Sequence, residues 1–183
     1  MTETKKAQPP EFRTNGVLAE KGVVVAEQSS IDALTLRGYG TLEDEVFTLA
    51  FYEALYLADK GMLEVKDEKG SPVNFQKLLH CYEGVNENAW VNYLVYRDLR
   101  SRGYVAREGF GAGIDFRVYE RGEYGKETAP YLVLSVQEGK TLGVEELADA
   151  LQRCQSQKKE LILAAMNRRG EIVFYSVSQL TFK

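Results

Sequence analysis

Few side chains in this sequence can titrate near neutral pH or hold a fixed charge where two apolar segments meet. The single histidine is His80, so His-rich metal sites and any mechanism needing two imidazoles are excluded. Tyr119 and Tyr124 offer phenolic hydroxyls, and Lys159 stands beside Lys158 and Glu160 at the junction of a helical and an extended pattern. A lysine there favours the carbonyl end of a helix, so a solvated charge is the simplest account of it. Arg97, Arg100, Arg102 and Arg107 make a basic run able to contact phosphates, although Asp98 alternates with Arg97 as on a solvated helix face. Cys81 and Cys154 stand far apart with no CxxC pair, which excludes a zinc knuckle or a thioredoxin-like site and leaves two reduced thiols as the expectation.

The segments that must position these groups follow from periodicity. Residues 1–12 form a polar, proline-containing leader expected to be disordered. Two short extended runs, Gly16–Ala19 and Val23–Ala26, flank a hairpin turn at Glu20-Lys21-Gly22. A short helix is predicted over Ser29–Leu36. Phe47, Ala50, Phe51, Ala54 and Ala58 share one face of a helical period, which predicts one helix over residues 42–60, capped by Thr41 and stopped by Gly61. Met62–Val65 reads as a strand. Phe75, Leu78, Leu79 and Tyr82 mark a second such helix ending at Gly84. A third carries Val91, Leu94, Val95 and Leu99 from about Glu87 to Arg102.

The pattern then changes. Strands are predicted at Tyr104–Arg107, Ile114–Glu120 and Tyr131–Gln137. A helix over Val144–Lys159 carries Val144, Leu147, Ala148 and Leu151 on one face. Strands follow at Leu161–Met166 and Glu171–Val177, joined by Arg168-Arg169-Gly170. The predicted fold class is α+β: a small N-terminal α+β domain over residues 13–85, then an α/β domain over residues 86–183 with a central mixed sheet.

Composition bounds the function. Hydrophobic residues make up 44% and charged residues 27% of 183, enough to bury a core. No apolar run approaches the ~20 residues needed to span a bilayer, and residues 1–10 lack a signal-type apolar stretch. A cytoplasmic protein without a membrane partner is expected. The net charge of −4 argues mildly against a stand-alone nucleic-acid binder and leaves room for a local basic surface or a basic partner chain.

The stretch from Asn92 to Val105, reading NYLVYRDLRSRGYV, resembles the first helix and strand of the catalytic domain of archaeal tRNA-splicing endonucleases. The resemblance continues at Asp115-Phe116-Arg117-Val118-Tyr119-Glu120-Arg121-Gly122, at Tyr131-Leu132-Val133, and from Lys159 to Tyr175. Glu53–Leu57 with Gly61–Val65 resembles that family's N-terminal domain. Each motif is weak alone; their order and spacing over residues 40–177 are specific.

The resemblance implies cleavage of precursor tRNA at a bulge–helix–bulge, without metal or other cofactor, to a 2′,3′-cyclic phosphate. A tyrosine, a histidine and a lysine share the acid–base and charge-stabilising roles. Placed on this sequence, the tyrosine position falls at Ala112, the histidine position at Thr128, and the lysine position at Lys159, the one member retained. Tyr119, Tyr124 and His80 are the substitutes within reach of the motif or elsewhere in the chain. The resulting expectation is a non-catalytic subunit of a hetero-oligomeric enzyme, a heterotetramer, paired with a catalytic subunit through its C-terminal strand. The turn Arg168-Arg169 departs from the acidic turn usual in the family. An endonuclease subunit with altered catalytic residues and a homo-oligomeric RNA-binding module are the alternatives.

Overall fold

The computed structural model describes residues 12–111 and 113–180 and divides the chain into two compact units, one ending at Asn86 and the other beginning at Glu87. Residues 1–11, which carry nearly all of the expected leader, and Ala112 lie outside the described residues.

The first unit holds strands β1 (Thr14–Ala19), β2 (Gly22–Val25), β3 (Thr41–Glu43), β4 (Val46–Leu49), β5 (Leu63–Lys66) and β6 (Pro72–Val73). Its helices are α1 (Gln28–Leu36), α2 (Phe51–Asp59) and α3 (Phe75–Glu83). The six strands form one sheet in the order β3-β4-β2-β1-β5-β6, with β1 and β5 parallel and the other pairs antiparallel.

The single helix expected over residues 42–60 is corrected here. Residues 41–49 form a β-hairpin, and only Phe51–Asp59 is helical. Asp44 and Glu45 both adopt positive φ, 46° and 66°, which is the conformation of a two-residue turn matching strand twist. Thr41 therefore starts a strand and is not the residue at the head of the helix. The helix instead begins at Ala50, where the buried Glu53 carboxylate accepts from the backbone N–H groups of Ala50 (2.9 Å) and Gly40 (3.1 Å). Phe47 is buried in both readings, so its burial misled the helical count.

The second unit is a five-stranded mixed sheet in the order β11-β10-β9-β8-β7. Its strands are β7 (Val105–Glu108), β8 (Phe116–Tyr119), β9 (Tyr131–Gln137), β10 (Glu160–Met166) and β11 (Ile172–Val177). β9 and β10 run parallel and are joined by helix α5 (Val144–Ser156), the crossover that a parallel pair requires. Helix α4 (Ala89–Ser101) packs on β7, β9, β10 and β11. It buries Val91, Leu94, Val95 and Leu99 as the spacing predicts, and Asn92, Tyr93 and Tyr96 besides.

Helix α5 packs on β10 with a different stripe from the expected one. Val144 is 83% exposed and Ala148 is exposed, while Ala150 and Cys154 are buried and Leu147 and Leu151 partly so. Counting from Leu147, the residues at i, i+3, i+4 and i+7 face the sheet; the stripe starts three positions later than expected, which turns the helix by about 60°.

Candidate functional site

Helix α5 ends at Ser156, three residues short of the expected Lys159, although no glycine marks the stop. Lys158 takes φ 55°, the left-handed conformation usually left to glycine. Its N–H donates to the Gln155 carbonyl (3.0 Å) and the Lys159 N–H to the Cys154 carbonyl (2.9 Å). These two bonds close the helix as a Schellman motif and turn the chain directly into β10. Lys159 is thereby fixed at the corner between helix and strand, and the Glu160 N–H donates to the Pro130 carbonyl (2.9 Å) next to it.

That corner forms one wall of a cleft of about 360 Å³, lined by Gln157, Lys158 and Lys159 on one side and by Glu127, Thr128, Ala129 and Pro130 on another. Tyr119, Glu120 and Glu123 complete it. The Lys159 ammonium donates to the Ala129 carbonyl, which ties the lysine to the strand-leading segment that carries Thr128. Tyr119 ends β8, and the Tyr124 ring meets it edge-on with centroids 5.0 Å apart. Such a T-shaped contact fixes the orientation of the phenol. At the rim Tyr131 donates to Glu120 (2.9 Å), and this bond to a carboxylate raises the Tyr131 phenol above its ordinary value.

Of the residues singled out from sequence, Thr128, Lys159 and Tyr119 meet in this cleft. Ala112 is outside the described residues; its neighbour Gly113 lies over α5, where a Cβ would come within 3.8 Å of the Ala150 Cβ. His80 lies on α3 in the first unit, exposed and 3.7 Å from Glu83. The four arginines are dispersed. Arg97 sits over the Tyr93 ring (5.7 Å). Arg100 is in the last turn of α4. Arg102 grips Asp98 through Nε (2.6 Å), a bond that holds its guanidinium above the usual value, and covers Phe174. Arg107 stands on β7 directly opposite Arg117.

Reading the sequence alone missed the three glutamates of the cleft, Glu120, Glu123 and Glu127. They fall in a loop with no periodicity, and only closure of the loop against the α5 corner groups them. At the opposite end of β8 from the cleft, Asp115 accepts from the Ser135 N–H (2.7 Å) and the Asn92 side chain (3.1 Å), pinning the start of β8 to β9 and α4. Burial is the largest influence on its carboxyl and pushes it above the ordinary carboxylate range. Cys154 is free and buried, its thiol raised by desolvation against an opposing pull from Lys159; Cys81 is free and half-buried. Among the described residues no group of three or more acidic, histidine or cysteine side chains is placed to hold a metal ion.

Two family matches cover most of the chain. Residues 89–174 match the tRNA intron endonuclease catalytic C-terminal domain, and residues 14–79 match the tRNA intron endonuclease N-terminal domain. A protein of Methanococcus vannielii named tRNA-splicing endonuclease is 31% identical over 180 residues, 98% of each chain. Like-named proteins of Methanothermobacter thermautotrophicus and Saccharolobus islandicus are 33% identical over 172 residues (91% of this chain, 97% of the other) and 35% identical over 127 residues (69% of each).

Proposed function

The chain belongs to the tRNA-splicing endonuclease family, and we propose that within it this protein is a non-catalytic subunit that completes a hetero-oligomeric enzyme acting on precursor tRNA. The observation that carries the reading is the composition of the cleft: a tyrosine and a lysine are present, but Thr128 stands where the resemblance puts a histidine, and carboxylates surround it. RNA cleavage by attack of a 2′-hydroxyl needs one group to take that proton and another to protonate the 5′-oxygen as it leaves. A threonine hydroxyl does neither near neutral pH, and acid–base assistance is worth about 10²–10⁴-fold. The tyrosine position of the set holds Ala112, and Tyr119, held against Tyr124, is only a nearby substitute for it. Glu120, Glu123 and Glu127 oppose the approach of a phosphate to Lys159. In this reading the protein's part is assembly, with the catalytic subunit joined along β11, an edge strand of its sheet among the described residues.

A second reading has its own support. Tyr119 and Lys159 share the cleft with three carboxylates, one of which would serve as proton donor or acceptor in an altered but active subunit.

The deciding experiment assays a bulge–helix–bulge RNA with this chain alone, with a subunit carrying the full Tyr–His–Lys set, and with the Thr128→His variant. The non-catalytic reading expects no cutting by the chain alone from pH 5 to 9, and cutting by the mixture. It also expects about 10²-fold or more gain from Thr128→His, with a 2′,3′-cyclic phosphate product. Robust cutting by the unmodified chain, lost on Glu127→Gln or Glu120→Gln, would establish the second reading instead.

A further inference from the structure

The segment that joins β7 to β8 is closed at its base by one residue. The Asp115 N–H donates to the Val133 carbonyl of β9 (2.8 Å), and the Asp115 carbonyl accepts from the Gly109 N–H just past β7 (2.9 Å). Its carboxyl reaches the Ser135 N–H on β9 and the Asn92 side chain on α4. Gly111 and Gly113 within the segment take positive φ, 69° and 80°. Glycines lose more freedom on ordering than other residues, so the bonds at residue 115 bear directly on whether the segment stays closed.

Asn92 and Ser135 are 4% and 7% exposed, yet each keeps a polar atom without a hydrogen-bond partner among the described residues, the Asn92 Oδ1 and the Ser135 Oγ. Buried polar atoms are nearly always bonded, so both need an account. The Ser135 hydroxyl stands close enough to the Asp115 carboxyl to act on it. The Asn92 amide is the harder case. As placed, its Nδ2 donates to the Asp115 Oδ1 (3.1 Å) and its own oxygen is left over. Turning the amide by 180° sets that oxygen against the carboxyl and leaves the nitrogen over instead. The first orientation lacks a donor beside the carboxyl, and the second lacks one on it. A proton on Asp115 answers both. A carboxylic acid and a primary amide then pair as a ring, N–H to acid oxygen one way and O–H to amide oxygen the other. The Ser135 N–H bond survives, because a hydroxyl oxygen still accepts.

The surroundings favour the neutral form. Asp115 is half-buried, and burial works against its charge. Glu146 on α5 is the charged side chain that acts on it, with the same sign. Helix α4 and strand β9 face it with the uncharged Asn92 and Ser135, and β7 and β8 bring Glu108 and Arg117 to the adjoining strand positions.

We propose that Asp115 in the folded protein is a carboxylic acid paired with the Asn92 carboxamide, and that their shared proton latches the β7–β8 segment shut and releases it as pH rises. Loss of the proton leaves a half-buried carboxylate and an Asn92 oxygen without a donor, and both are relieved when residue 115 swings out to water. The open segment has an ordinary carboxyl and the closed one a raised carboxyl. Opening therefore becomes easier as pH rises from the ordinary value, about 3.9, to the raised one, by up to about tenfold per pH unit, and levels off above it. The segment carries Phe110, 50% exposed, and the position that the family resemblance gives to a tyrosine, so the latch governs what this margin of the second unit presents.

Two measurements on the full chain test the latch. In protein labelled with carbon-13 at the aspartate carboxyls, the Asp115 Cγ resonance should titrate with a midpoint above about 3.9. Hydrogen exchange of the Gly109 and Asp115 amides, corrected for intrinsic rate, should lose protection over the same window by up to about tenfold per pH unit. Asp115→Asn keeps the shape, stays neutral and supplies an N–H to the Asn92 oxygen, so its Gly109 protection should not vary with pH. Asp115→Ala should show low protection at every pH. A Cγ midpoint at or below the ordinary value overturns the proposal in the unmodified protein, whether or not the variants fold. So does a raised midpoint with pH-independent protection at Gly109 and Asp115, which makes the acid a fixed part of the packing. Equal pH dependence in the parent and in Asp115→Asn overturns it too. None of these results bears on RNA cutting, so the non-catalytic reading stands or falls separately.

Discussion

The two faces of the C-terminal sheet are packed by helices of equal length and opposite character. On one face α4 buries eight of its thirteen residues, including Tyr93 and Tyr96 at 1% and 0% exposure. On the other, α5 has the same length and buries only Ala150 and Cys154 fully. The α4 face is core, and its Tyr96–Phe116 ring pair spans helix and strand at 6.1 Å between centroids. The α5 face holds the helix stop at Lys158 and the cleft. The difference shows where each task is done: one helix secures the sheet by burial, and the other, held by a narrow stripe, leaves room at its ends for polar groups. Loosely covered ends are where side chains can meet a ligand without first breaking the core.

That contrast can be broken most strongly at Phe116, 1% exposed on the α4 face. Phe116→Ala is expected to cost about 3–5 kcal/mol, by loss of transfer energy plus the cavity left against Tyr96, measured by urea denaturation. A loss under about 1 kcal/mol would mean that the α4 face is not the unit's core.

Asp115 tests the junction between the faces, since it bonds Asn92 of α4 and feels Glu146 of α5. Its folded carboxyl is raised, so the folded state holds this proton to higher pH than the unfolded chain does. Stability from this group is therefore present below the ordinary carboxylate value and is lost as pH rises through the raised folded value. Asp115→Asn should flatten that fall in a series of thermal unfolding midpoints. The substitution also offers a donor to the Asn92 Oδ1, which has no partner among the described residues. An identical pH dependence in both proteins would remove Asp115 from the account.

Lys158→Gly addresses the α5 terminus. Glycine relieves the left-handed backbone at φ 55° but gains freedom in the unfolded chain, so a net stabilisation below about 1 kcal/mol is expected by denaturant titration. A clear destabilisation would show that the Lys158 side chain, not the backbone, holds the corner.

The smallest effect belongs to Val144, 83% exposed in the first turn of α5. Val144→Ser should change stability by no more than about 0.5 kcal/mol, whereas the helical stripe counted from sequence would make it a core deletion.

Local rules decided much of this protein from its sequence. The strand-rich half, the α4 stripe and the β10–β11 hairpin follow from alternation and helical period, because each element buries one face and must repeat apolar residues at its own spacing. The family was legible in the motifs around Asp115-Phe116 and from Lys159 to Tyr175, and the matches over residues 14–79 and 89–174 bear that out. Other features had no local signature. The hairpin over residues 41–49 depends on two acidic residues accepting positive φ, while its apolar residues happen to fit a helix as well. The α5 stripe was shifted because Val144 and Ala148 satisfy the helical period without touching the sheet. The end of α5 carries no glycine, so the corner that sets Lys159 exists only in the backbone. The cleft joins residues 119–130 to residues 157–159 through the parallel β9–β10 pairing. Sequence determines which side chains are available and how each element turns its apolar face. Only the tertiary structure decides which loop ends meet, because that meeting is set by long-range strand register and helix rotation, to which no short stretch of sequence is sensitive.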